Sequence, residues 1–86
     1  MTERGDALLA RAKRTRANWS IADLRQLYLR NGCAIREGSK HPIAKHLEFP
    51  HLRATLPNHA DFAKEYVRSA VTLIEEAERL KAEAAR

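Results

Sequence analysis

The chain has 86 residues and a mass of 9.8 kDa, which is the size of one small domain and excludes a catalytic domain with a separate cofactor domain. Lys and Arg outnumber Asp and Glu by 16 to 11, a net charge of +5, and a small basic domain favours an anionic partner, most often nucleic acid. The single cysteine, Cys33, excludes an internal disulfide framework. No apolar run approaches a membrane span and the first residues do not resemble a signal peptide, so we expect a cytoplasmic protein with no membrane contact.

The basic excess is concentrated in the first two-thirds of the chain. Residues 1–18 carry five basic side chains against two acidic ones, and residues 19–59 carry six against three. Residues 60–86 have a small acidic excess. All four histidines lie in the second region, which is therefore the best candidate for contact with an anion. These histidines are His41, His46, His51 and His59.

Two helices are predicted before the middle of the chain. Residues 6–16 favour a helix capped by Asp6, but the apolar side is thin and the surface is basic. We therefore interpret residues 1–18 as a basic extension that could be an appendage to a domain spanning residues 19–86. The second helix, over residues 20–31, begins at a Ser20 cap and ends at Asn31-Gly32, two residues that accept the left-handed backbone of a helix end.

The hydrophobic period then changes to that of short strands separated by turns. The predicted strands are Cys33–Arg36, Ile43–Phe49 and Leu52–Leu56. In the second strand, alternation places Ile43, Leu47 and Phe49 on the inner face and His46 on the outer face. In the third strand, alternation places Arg53 on the outer face. Turn residues Gly38 and Ser39 separate the first two strands.

A long apolar stripe predicts the last helix, over residues 62–85. Its members recur at spacings of three and four. They are Phe62, Tyr66, Ala70, Leu73, Ile74, Ala77 and Leu80. The order of elements predicts an α+β two-layer sandwich in which a helix, a three-stranded antiparallel sheet and a closing helix follow an extra N-terminal helix. Both main helices would cover one sheet face and leave the other face open, lined by polar groups that include His46 and Arg53.

Two motifs within residues 20–80 resemble those of a known family. Gly38-Ser39-Lys40-His41 is followed by Thr55-Leu56-Pro57-Asn58-His59 and a closing helix. This pair of motifs resembles the HicA family, small ribonuclease toxins of bacterial toxin–antitoxin systems. The resemblance implies a fold like that of double-stranded-RNA-binding domains, cleavage of messenger RNA, His41 as the catalytic histidine, and a HicB-type antitoxin as partner. Ala44 departs from the family pattern, which usually has an aromatic residue there.

The residues themselves fit ribonuclease chemistry without a metal or another cofactor. RNA supplies its own 2′-hydroxyl nucleophile, and a histidine with an unperturbed pKa of about 6.5 can act as general base or general acid. The turn through Gly38, Ser39 and Lys40 could bring backbone N–H groups and a positive charge to a phosphate. The remaining candidate RNA-binding or phosphate-binding residues are Lys45, His46 and Arg53.

Other interpretations of the same residues stay open. The four histidines suggest zinc, but their gaps of five, five and eight residues give no pair on one helix face, and structural zinc needs four converging ligands. The chain could be a non-catalytic RNA-binding module on the same fold, an alternative motivated by Ala44. It could also be an inactive toxin-like interaction protein, alone or in a homo-oligomer or hetero-oligomer, docked through its basic first helix and its charged C-terminal end.

Overall fold

The computed structural model describes residues 4–15, 17–37, 40–57 and 64–85. Within them, three helices and a three-stranded antiparallel sheet form an α+β fold with strand order β1-β2-β3, as the sequence predicts. The elements in chain order are α1 (Gly5–Arg14), α2 (Ile21–Leu29), β1 (Cys33–Arg36), β2 (Ile43–His46), β3 (Arg53–Thr55) and α3 (Glu65–Ala84).

The predicted capping residues begin and end α2. Ser20 Oγ accepts a hydrogen bond of 3.0 Å from the backbone N–H of Asp23, which satisfies one of the free donors at the helix start. After the helix, Gly32 adopts the left-handed backbone, with φ of +87°, which a glycine adopts without steric cost. Asn31 contributes its side chain instead, since Nδ2 donates to the carbonyl of Leu27 at 2.8 Å.

Helix α1 is part of the core, so the expectation that it is an appendage is wrong. Its thin apolar side, Leu8, Leu9 and Ala12, is buried in the same hydrophobic cluster as residues of α2 and α3. The helix begins at Gly5, one residue earlier than predicted, which places Asp6 in the first turn instead of at the cap. These three side chains are enough to anchor α1 in the core, because the helix packs mainly against two other helices, α2 and α3.

Arg11 joins α1 to the start of α2. Its guanidinium donates to Asp23 Oδ2 at 2.8 Å and lies 4.2 Å from the ring centroid of the buried Trp19. The Arg11 hydrogen bond lowers the pKa of Asp23 below its usual value. The indole N–H of Trp19 in turn donates to the Thr15 carbonyl at 2.9 Å. The connection between the two helices is thus held by a cation–π contact, an ion pair and a hydrogen bond.

The helices cover one face of the sheet, and the strand side chains on the other face are exposed in the described part of the chain. Helix α2 packs against β1, and α3 packs against β3, so the inner side chains of the strands enter the helix-lined core. Tyr28 and Trp19 are buried there. The predicted stripe of α3 is also confirmed from Tyr66 to Leu80, and Phe62 lies outside the described residues. In the described part of the chain, no helix combines the length and the apolar character needed to cross a membrane.

Strand β2 has the opposite faces from those predicted. Ala44 and His46 are buried, whereas Ile43 is 39% exposed and Leu47 is 67% exposed. The strand ends at His46 instead of Phe49, so Leu47 and Phe49 belong to the following turn and do not continue the alternation. A shift of one residue along a strand moves every side chain to the opposite face of the sheet. In β2 the small Ala44 is therefore in the core and Ile43 is exposed.

Gly5 to alanine is expected to destabilise the fold. A Cβ at residue 5 would collide with the backbone carbonyl of Arg30. The two helices are close at this point, since Asn31 Nδ2 donates a hydrogen bond of 3.1 Å to the Gly5 carbonyl. Alanine in a helix normally stabilises relative to glycine, but here relief of the collision requires α1 to move from α2, at a cost of about 1–3 kcal/mol. Chemical denaturation measures the difference. Ala10→Ser, at an exposed position of α1, is the control and should cost about 0.5 kcal/mol; an equal or smaller loss in Gly5→Ala would contradict the expectation.

Candidate functional site

The open face of the sheet presents a cluster of cations. Of its six outward positions, three are basic and none is acidic. The outward residues are Ala34, Arg36, Ile43, Lys45, Arg53 and Thr55. Glu37, which follows β1 directly, is turned to Arg25 of α2 in an ion pair of 2.7 Å. We call Arg36, Lys45 and Arg53 the sheet cations.

Lys45 and Arg53 are direct neighbours across two strands. The hydrogen bonds from His46 N to the Leu52 carbonyl and from Leu56 N to the Pro42 carbonyl make Lys45 and Arg53 a non-hydrogen-bonded pair, the type with the closer side chains. Their Cβ atoms are therefore about 5 Å apart. Like charges directly opposite each other destabilise a sheet, and an anion lying between them would offset this repulsion.

His41 lies at the entrance to β2. Pro42 is buried and its carbonyl accepts from Leu56 N at 2.8 Å, so the alternation of β2 extends one residue before Ile43. The exposed His41 lies at a bend directly before Pro42, about 13 Å along the chain from Lys45 at the normal rise per residue of a strand. Lys45 and Arg53 therefore share one face of the sheet, and His41 is exposed at the start of the strand that carries Lys45.

Three further predicted site residues directly precede His41 in the sequence. Lys40 is exposed. Gly38 and Ser39 lie outside the described residues, so their predicted contact with a phosphate stays a prediction. Arg36 was not among the predicted site residues. The alternation of the short strand Cys33–Arg36 could have shown that its side chain is on the outward face with Lys45.

His46 does not line the open face, so its predicted place in an RNA-binding surface is wrong. Its side chain is only 1% exposed. Nδ1 accepts hydrogen bonds from the backbone N–H groups of Glu48 and Phe49 at 3.1 and 3.3 Å, and the ring of Phe49 lies 5.3 Å away, centroid to centroid. The histidine organises the turn after β2 from the core side of the sheet.

The environment of His46 favours its neutral form. Burial lowers the pKa of the ring below the usual 6.5, the Lys81 ammonium lowers it further, and Glu48 acts in the opposite direction. Since Nδ1 is an acceptor, the proton of the neutral ring is on Nε2, which is buried without a hydrogen-bond partner in the described chain. A Cβ on Gly32 would lie 3.1 Å from this Nε2, so the glycine leaves room for the ring.

The described residues contain no group of three or more His, Cys, Asp or Glu side chains placed to share a metal ion. Cys33, the register partner of His46, is buried, and burial raises the pKa of its thiol to about 11. It is therefore a neutral thiol packed in the core at ordinary pH and a poor nucleophile.

Comparison of the chain with models of known protein families, with curated proteins and with solved structures gave no match.

The stability of the fold is expected to fall with acidification because of His46. A group whose pKa is lowered by folding contributes stability that is present above its unfolded value, near 6.5, and is lost as the pH falls toward the folded value. Protonation would also remove Nδ1 as the acceptor for Glu48 and Phe49. Denaturation at a series of pH values from neutral downward should show the unfolding free energy decreasing by up to about 1.4 kcal/mol per pH unit.

The control for this effect is the exposed His51. Removing the imidazole in His46→Gln should flatten the pH dependence in this window, whereas His51→Gln should leave it as in the parent chain. NMR titration of the parent His46 ring measures the same quantity even if His46→Gln folds poorly. A midpoint at or above 6.5 would contradict the expectation.

Proposed function

We propose that this chain is a metal-independent endoribonuclease that binds RNA on the open face of its sheet, with His41 as the general acid or base. The observation that carries the proposal is the like-charge pair Lys45 and Arg53, on a face where no outward strand residue is acidic. This pair costs stability in the free protein and becomes favourable when phosphates neutralise it.

The arrangement matches what RNA cleavage needs. The 2′-hydroxyl attacks the adjacent phosphorus, so the protein has to take a proton from that hydroxyl, give one to the departing 5′-oxygen, and stabilise the charge on the phosphate. His41 is exposed at the margin of the face and can meet either oxygen. The sheet cations hold the phosphates on one side of it, and Lys40 adds positive charge beside the histidine.

The sequence resemblance to HicA toxins supports the same function. It would make the α+β fold a variant of the double-stranded-RNA-binding domain, with messenger RNA as substrate and a HicB-type antitoxin as the partner that covers the active surface. Such a toxin acts in the cytoplasm. The Gly-Ser-Lys-His motif that carries the resemblance ends at His41, close to the first strand residue of the cationic face.

A second candidate function is RNA binding without cleavage. Ala44, which replaces the usual aromatic residue of the family, has a fully buried side chain on the core face of β2. Position 44 therefore offers no ring to stack on a base, and the open face retains only its charges and His41. A protein with this face would still bind RNA in a salt-dependent way.

Replacing His41 by alanine is expected to abolish RNA cleavage. The purified chain should cut single-stranded RNA in the presence of a chelator, and His41→Ala should lower the rate by about 100-fold or more, the usual effect of removing a general acid or base. RNA binding should remain, because the sheet cations are unchanged. Gel analysis of end-labelled RNA measures cleavage, and fluorescence anisotropy measures binding.

The matched control is His51→Ala, which removes an exposed histidine outside the cationic face. It should cleave at the parent rate. Equal cleavage by His41→Ala and the parent chain would remove His41 from the mechanism. Salt-sensitive binding with no cleavage by the parent chain would establish the second candidate function instead.

Lys45→Thr is expected to weaken RNA binding without reducing stability. Threonine suits a strand, and the substitution removes the repulsion from Arg53, so the unfolding free energy should stay the same or rise by about 0.5 kcal/mol. For each RNA phosphate that the variant no longer neutralises, the slope of log affinity against log salt should fall by about 0.7 on single-stranded RNA. Arg14→Thr removes one exposed charge from α1 and should leave the slope unchanged. An equal change of slope in both variants would contradict a specific role for Lys45.

A further inference from the structure

The outer edge of β3 is open in the described chain and has a groove beside it. Because Leu52 and Leu56 exchange hydrogen bonds with β2, alternation turns the backbone N–H and C=O groups of Arg53 and Thr55 away from β2. No described residue pairs with them. An edge with free donors and acceptors is a template for another strand.

Helix α3 forms the opposite wall of this groove. Two adjoining cavities, of about 400 and 350 Å³, run along β3 and share Ala54, Glu65 and Ser69. Apolar atoms of Leu52, Ala54 and Leu73 line the first cavity. An edge strand facing a helix across a partly apolar groove is the geometry in which extended peptides are bound by strand addition.

The charges of the groove select the chemistry of such a peptide. Arg53 on the strand and Arg68 on the helix both line it, against Glu65, the single acidic residue among the described residues of its lining. Neither arginine has an ion-pair partner among the described residues. An added strand places alternate side chains on opposite faces, so residues beside Arg53 would be acidic, and residues facing Ala54 would be apolar.

We infer that the groove between β3 and α3 binds an extended segment of a partner protein in which acidic and apolar residues alternate. The segment continues the sheet past β3 through about four backbone hydrogen bonds to Arg53 and Thr55. Arg53 contacts an acidic side chain on the open face, and the alternate, apolar side chains face α3. Apolar contacts and backbone donors favour a peptide over RNA here, and the inference does not depend on the proposed ribonuclease activity.

The test uses the full chain and an acetylated peptide of alternating Glu and Val residues. NMR titration should shift the amide signals of Arg53 and Thr55, and hydrogen exchange at these two amides should be fast in the free chain and slowed by the peptide. Slow exchange in the free chain would show that the edge is already paired, and this would overturn the proposal. Equal binding of a peptide of alternating Lys and Val would overturn its acidic specificity.

Two variants distinguish the contribution of the backbone hydrogen bonds to peptide binding from that of the arginine charge. Thr55→Pro removes an N–H that points away from β2, a position where proline is tolerated in an edge strand, and should weaken peptide binding by about tenfold. Thr55→Val, which keeps the N–H, is its control. Arg53→Ala should also weaken binding, and Arg14→Ala should not. If neither Thr55→Pro nor Arg53→Ala changes affinity, the proposal is overturned.

Discussion

The hydrogen bonds that His46 Nδ1 accepts from Glu48 and Phe49 determine which face of β2 is buried. His46 is only 1% exposed, and the two backbone donors that the turn after β2 supplies to Nδ1 offset part of the cost of burying the ring. Gly32, which has no side chain, leaves space for the other nitrogen. Side chains alternate between the two faces of a strand. The burial of His46 therefore also turns the side chains of Pro42 and Ala44 inward and those of Ile43 and Lys45 outward.

The cationic face follows from that single choice. With His46 inward, Lys45 has to point outward, and the register with β3 places it opposite Arg53. The core gains a small residue, Ala44, under the helices, while the surface carries an exposed Ile43 and two adjacent positive charges. Helix α1 supports this arrangement from a distance, because Asn31 joins the Gly5 carbonyl to the end of α2, directly before Gly32.

Sequence patterns predict much of this structure, and the errors have physical causes. The Ser20 cap, β1, the open sheet face and the stripe of α3 follow from local signals that the fold does not oppose. The face of β2 could not be predicted from its apolar pattern, since Leu47 and Phe49 lie in a turn and a buried histidine depends on backbone donors that only the folded chain provides. The groove beside β3 depends on the distance between α3 and the edge of the sheet. This distance results from how α3 packs, and no local sequence pattern encodes it.

The two basic regions of the chain differ in how their charges are used. In α1, Arg11 is held by Asp23 and the ring of Trp19, and Lys13 forms an ion pair of 3.3 Å with Glu75 of α3. These cations stabilise helix packing, and their acidic partners neutralise the charge that a ligand would otherwise meet. The sheet cations have no such acidic neighbours among the outward strand residues, and Lys45 and Arg53 repel each other. The net charge of +5 is therefore a poor guide to the surface for which we propose RNA binding, whereas the absence of acidic side chains from the outward strand positions points to it.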